Sequence, residues 1–226
     1  VRYKYILLDL DNTLYDTRQT EKLAMRAFLE HYANGGNTEK LYVEYQQINH
    51  ELWSALEKGN ISIDKINTER FRRFFDQENI SKDAEDAGSY YLDLLCKYHL
   101  FYPSAEEIYE YLTKRYKVAL ITNGLKDAQE RRILDTFLHQ DISPLYIGEV
   151  IGYHKPDPEV VNYIMNREKW DDKEQVMIIG DSLSSDIQCA QNAGISSIWC
   201  NFTGENQGAF RPDFTVYDLI EIKNIL

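Results

Sequence analysis

Three apolar runs of strand length, each cut off by acidic or turn-forming residues, constrain this chain more than any other feature. Tyr5-Ile6-Leu7-Leu8 stops at Asp9-Leu10-Asp11-Asn12-Thr13, Lys117-Val118-Ala119-Leu120-Ile121 at Thr122-Asn123-Gly124, and Val176-Met177-Ile178-Ile179 at Gly180-Asp181-Ser182. Runs that are apolar on both sides of the pleat are strands buried on both faces, which is the condition of a parallel sheet covered by helices. Such sheets bind ligands beyond the carboxyl ends of their strands, so the three polar segments are expected along one edge. The fold class that follows is α/β, with a Rossmann-like parallel sheet at the core.

Helical patterns fill the intervals: about 104 to 115, 126 to 138, 157 to 167 and 185 to 193, the last closed by Gly194. Residues 196 to 200 read as a further strand, 213 to 216 as an edge strand and 217 to 225 as a closing helix. Between Thr17 and His99 four helical patterns (21 to 32, 39 to 58, 67 to 77 and 82 to 98) succeed one another with no convincing strand, with turns at Gly35-Gly36-Asn37 and Gly59-Asn60. We therefore expect residues 1–16 and 100–226 to form the catalytic α/β core and 17–99 an inserted all-helical cap.

Charge narrows the partners. With 25 basic against 37 acidic residues, the formal charge of −12 repels a phosphate backbone and argues against a nucleic-acid polymer, while a small anion can still enter a cleft whose donors or bound cation reverse the local field. No apolar run approaches the length of a membrane span, and the first residues lack the basic, apolar and small-residue succession of a signal peptide. Cys96, Cys189 and Cys200 are scattered and odd in number, so reduced thiols and a cytoplasmic setting are expected.

Asp9 and Asp11 stand two residues apart just past a strand, where an extended backbone directs both the same way. One carboxylate can attack phosphorus while the other donates a proton to the leaving oxygen and later takes one from water; the plainer alternative is an acidic turn or helix cap. Thr122 offers a hydroxyl, and Asn123 and Gly124 offer backbone N–H groups, to a phosphoryl oxygen, though alone they are an ordinary turn. Lys155, just before the helix started by Pro156-Asp157-Pro158, is a cation whose position is expected to be fixed rather than solvated. Asp181 can complete an oxygen-rich Mg2+ site beside Asp9; Asp186 either supports that site or caps the following helix. Tyr15 and Asp16, directly after the acidic loop, are the aromatic and acidic residues expected nearest a substrate, whereas the aromatics of the insertion (Tyr42, Tyr45, Trp53, Phe71, Phe74, Phe75) are chiefly packing.

Asp9 with Asp11 and Thr13, then Thr122, then Lys155, then Asp181 with Asp186, in this order and over nearly the whole chain, resemble the motifs of the haloacid dehalogenase-like hydrolase superfamily. The resemblance implies a helical cap after the first motif, Mg2+ dependence with Asp9, Asp11, Asp181 and Asp186 around the metal, the main-chain carbonyl of Asp11 among the ligands, and an aspartyl-phosphate intermediate. Its dehalogenase members replace the second aspartate, so Asp11 favours the phosphatase branch. Within that branch, residues 9 to 16, Ile121-Thr122-Asn123-Gly124, Ile198-Trp199-Cys200-Asn201 and the phrase Leu52-Trp53, Gly59, Ile61, Arg70-Phe71 are similar to the bacterial pyrimidine 5′-nucleotidases. Tyr153-His154 departs from them where a small residue is usual. The expected activity is hydrolysis of a small phosphomonoester, a nucleoside 5′-monophosphate, with a sugar-phosphate or phosphoglycolate phosphatase, a haloacid dehalogenase and a non-catalytic phosphate-binding protein as the alternatives.

Overall fold

The computed structural model describes residues 2–32, 37–134, 136–139 and 143–226, and the expected turn at Gly35-Gly36 lies outside them. The described chain divides into two compact units, Val1–Asp16 with Phe101–Leu226 and, inserted between them, Thr17–Leu100.

The first unit is built on six strands: β1 (Tyr5–Asp9), β2 (Lys117–Thr122), β3 (Leu145–Ile147), β4 (Val176–Gly180), β5 (Ser196–Cys200) and β6 (Phe214–Val216). They pair in parallel in the order β3-β2-β1-β4-β5-β6. The chain works outward from β1 to one side and then to the other, so β1 sits at the switch point where an open parallel sheet leaves a crevice at its carboxyl edge. The period-2 alternation divides the interior cleanly. Ile6, Leu8, Val118, Leu120, Met177 and Ile179 belong to one buried cluster, and Tyr5, Leu7, Ala119, Ile121, Val176 and Ile178 to another.

Helices of the insertion are α1 (Thr17–Tyr32), α2 (Thr38–Glu57), α3 (Ile63–Glu78) and α4 (Ala84–Lys97); those of the sheet unit are α5 (Ala105–Thr113), α6 (Lys126–Leu134), α7 (Gly148–Ile151), α8 (Glu159–Glu168) and α9 (Gln188–Ala193). The α5 side chains Ile108 and Leu112 join the first sheet cluster, and Val160, Val161 and Ile164 of α8 join the second.

The inserted unit has its own core. Phe28, Tyr45, Phe71, Phe74 and Tyr91 are buried there, with Phe28 and Phe71 ring centroids 4.6 Å apart. Asn37 and Asp83 cap α2 and α4, Asn37 accepting the Lys40 N–H and Asp83 those of Glu85 and Asp86. Arg70 is also buried, with its guanidinium 4.9 Å from the Tyr91 ring centroid and its Nη2 donating to Asn67 Oδ1 at 2.5 Å. Among the described residues no helix is long and apolar enough to cross a membrane.

Several boundaries differ from the sequence reading. The pattern over 126 to 138 yields α6 ending at Leu134 and a separate 3-10 turn, Phe137–His139. The pattern over 185 to 193 begins inside a π turn, Leu183–Ile187, and α9 covers only Gln188–Ala193. The closing segment is a 3-10 helix, Leu219–Asn224, and the edge strand begins at Phe214. Strand β3 and the single turn α7 that follows it were not anticipated.

Candidate active site

The carboxyl ends of β1, β2 and β4 bring Asp9, Thr122 and Asp181 to the same edge, because parallel register aligns Asp9 with Ile121 and Leu8 with Ile179. Directly after Asp9 the chain turns tightly. The Leu10 carbonyl accepts the N–H groups of Thr13, Leu14 and Tyr15, and Asn12 takes a positive φ of 60° to make the turn possible. This turn carries Thr13 back beneath β1, where its hydroxyl donates to Asp9 Oδ2 at 2.8 Å.

Asp9 is buried, and its other oxygen, Oδ1, accepts from Lys155 Nζ at 2.6 Å. The same ammonium donates to Asp186 Oδ1 at 2.6 Å, and all three groups are at least nine-tenths buried. Burial, reinforced by the charge of Asp186, pushes the Asp9 carboxyl above its ordinary range against the pull of Lys155. Burial also acts against the charged form of Lys155, but Asp186 and Asp9 outweigh it and hold the lysine above its usual range.

Lys155 is placed by its main chain as well. Asn123, just past β2, accepts the Lys155 N–H at 2.9 Å on its Oδ1 and donates through Nδ2 to the Lys155 carbonyl at 2.7 Å. The Asn123 side chain is thus occupied by the lysine loop, and any contact with a phosphoryl group falls to its main chain. Thr122 is buried, and its hydroxyl oxygen accepts from Gly124 N–H at 2.9 Å, keeping its own proton to donate.

Asp186 takes a capping role, one of those open from sequence, at the turn in which it lies, and also holds Lys155. Its Oδ2 accepts the Ser182 N–H at 3.0 Å while the Ser182 hydroxyl accepts the Ser185 N–H at 3.2 Å, an exchange of the capping-box kind; its Oδ1 holds Lys155. Gly180 is required here, since a Cβ on it would stand 2.2 Å from the Asp186 carboxyl carbon. Asp181 is partly exposed, with its carbonyl accepting from the Trp199 indole at 2.8 Å.

Carboxylate oxygens of Asp9, Asp181 and Asp186 lie within 4.8 Å of one another. Lys155 supplies one positive charge against these three acids. Hard oxygen donors with excess negative charge suit a divalent cation of the Mg2+ type.

Asp11 lies outside this cluster of three acids and is engaged by other partners. Arg132 Nη1 donates to its Oδ1 at 2.6 Å and Gln129 Nε2 to its Oδ2. Neither partner was singled out from sequence. Tyr15, expected near a substrate, is instead fully buried, with its ring 4.5 Å from that of Phe101 and the Arg132 guanidinium 3.9 Å from its centroid. The turn at Leu10 folds it inward.

Comparison with known proteins gives the family and its relatives. A family model described as haloacid dehalogenase-like hydrolase matches residues 6–200. The pyrimidine 5′-nucleotidase PynA of Streptococcus pneumoniae is 32% identical over 232 residues, covering 99% of this chain and 97% of the relative. The HAD-hydrolase YfnB of Bacillus subtilis is 29% identical over all of this chain and 96% of its own, and the pyrimidine 5′-nucleotidase YjjG of Escherichia coli 25% identical over all of this chain and 99% of its own. The crystal structure of YfnB bound to magnesium superposes with a TM-score of 0.90, covering 100% of this chain and 99% of that one.

Proposed function

The chain belongs to the haloacid dehalogenase-like hydrolase family, and from that premise we propose that it is a Mg2+-dependent phosphomonoesterase acting through Asp9, with nucleoside 5′-monophosphates as its substrates. The observation that carries the proposal is a buried carboxylate, Asp9, held by a buried ammonium beside two further acids, with a separate carboxylate, Asp11, two residues on.

In this mechanism Asp9 attacks phosphorus through a carboxylate oxygen, the bond from phosphorus to the ester oxygen breaks, and Asp11 delivers a proton to that departing oxygen. Asp11 then removes a proton from water, which attacks the aspartyl-phosphate and releases phosphate and free Asp9. Lys155 and the hydroxyl of Thr122 hold phosphoryl oxygens, joined by the main-chain N–H groups of Asn123 and Gly124. Asp9 and Asp181 would hold Mg2+ through their carboxylates, with the Asp11 carbonyl and Asp186 completing the set. When bound, the ion neutralises phosphate charge that the acids of the cluster would otherwise repel.

Asp11 supports phosphoryl transfer over dehalogenation, because it supplies the acid and base that a phosphate ester needs. The nucleotide assignment is supported by PynA and YjjG, which match essentially end to end. We assign selection among esters to the inserted helical unit, residues 17–99, acting as a cap.

The test is phosphate release from pyrimidine and purine nucleoside monophosphates, sugar phosphates and phosphoglycolate, with Mg2+ and with chelator. Mg2+-dependent hydrolysis that is fastest on pyrimidine monophosphates is expected. Hydrolysis that prefers another ester would overturn the substrate assignment, and the absence of release from every ester would overturn the phosphatase assignment.

A further inference from the structure

Asp11 is held by a polar face that the mechanism above does not use. Gln129 and Arg132, three residues apart and therefore on one side of α6, are 1% and 4% exposed. A helix packed on a sheet is expected to bury an apolar stripe, yet Gln129 and Arg132 of α6 are buried together with Ala128. Burying a carboxamide and a guanidinium is costly unless both are engaged, and here both converge on the two oxygens of one carboxylate.

The surroundings are shaped to the same end. The Arg132 guanidinium lies 3.9 Å from the centroid of the Tyr15 ring, which is backed in turn by Phe101. A Cβ on Gly124 would stand 2.2 Å from Gln129 Nε2, so glycine at the end of β2 is what lets the carboxamide pass to Asp11.

We infer that Gln129 and Arg132 are positioning residues that fix the carboxylate of Asp11 in the orientation from which it exchanges protons with the leaving oxygen and with water. Gln129 and Arg132 each donate to a different oxygen of Asp11, and two directional donors on the two oxygens fix the plane of the carboxylate. An unclamped aspartate would rotate about χ2, and proton transfer depends on its alignment. The inference rests on the phosphatase reading.

The test measures kcat/KM of wild type, Arg132→Met, Gln129→Met and Arg132→Lys on two esters: 4-nitrophenyl phosphate, whose leaving group needs little protonation, and an alkyl phosphate that wild type hydrolyses. Each variant is repeated in the Asp11→Asn background, and folding is followed by circular dichroism. The expected result is a loss of about 100-fold on the alkyl ester in Arg132→Met, the scale of general acid catalysis, with a much smaller loss on the nitrophenyl ester. Gln129→Met is expected to shift in the same sense, and Arg132→Lys to retain part of the activity. In the Asp11→Asn background the same changes are expected to cost less than about threefold, since residues acting as one unit are not additive.

Equal losses on the two esters, undiminished losses without Asp11, or no loss at all would overturn the inference while leaving the phosphatase reading intact. Failure of wild type to hydrolyse any ester would overturn both.

Discussion

At the scale of single residues, the site is governed by one ammonium shared between two buried carboxylates. Removing one partner from a buried ion pair leaves an uncompensated charge, and Lys155 has two such partners. Lys155→Met is accordingly expected to lower stability by about 3 kcal/mol, read as a shift of the urea midpoint in chelator. The same variant is expected to reduce kcat by about 100-fold or more through loss of transition-state charge stabilisation. Metal affinity is expected to depend on Asp181. Saturating Mg2+ at about 100 times its Kd stabilises a protein that binds it only when folded by about 2.7 kcal/mol, so the wild-type melting temperature should rise with Mg2+ and that of Asp181→Asn should rise far less. The acids at the strand ends were legible because apolar runs stop at them, and Lys155 because a proline-started helix follows it. Gln129 and Arg132 were not legible because polar residues on a helix ordinarily face solvent. The available signal was negative, namely that 126 to 134 lacks a convincing apolar stripe to lay against the sheet.

At the scale of elements, the close approach of the β4 end to the turn after it sets the position of Asp186. Gly180→Ala places a methyl group against the Asp186 carboxyl, which also anchors Lys155 and the Ser182 N–H. Overpacking of this kind costs about 1–3 kcal/mol, and the variant is expected to lose activity through displacement of Asp186, measured as a fall in kcat together with a lowered melting temperature. Strands β1, β2, β4, β5 and β6 and the four long helices of the insertion follow from period and length, and their observed ends fall within a few residues of the expected ones. What the period cannot carry is hydrogen-bond register. The π turn at 183–187 and the 3-10 helix at 219–224 share the polarity pattern of an α-helix and differ only in which carbonyl each N–H reaches. Strand β3 is three residues long, and its place in the sheet is set by pairing with β2 rather than by its own sequence.

At the scale of the whole molecule, a sheet buried on both faces and a separate aromatic core in the insertion leave most apolar side chains inaccessible. The thiols share this fate. Burial pushes Cys189 up to about 12 and Cys200 well above the ordinary thiol range, while Cys96 is only partly buried. Iodoacetamide at mildly alkaline pH is therefore expected to modify Cys96 alone in the native protein and all three after denaturation, as counted by intact mass. The fold class and its sheet could be read from the sequence because a parallel sheet imposes apolar strands and polar strand ends together; the partners of Asp11 could not, because they come from a helix more than a hundred residues away in the chain. The central claim is covalent catalysis by Asp9. The most direct measurement is rapid acid quenching of the enzyme during turnover of a phosphomonoester, followed by mass spectrometry of the peptide that contains residue 9. A phosphoryl group on Asp9 that is removed by hydroxylamine and absent from Asp9→Asn is the predicted result; steady hydrolysis with no phosphorylated enzyme, or full activity in Asp9→Asn, would contradict it.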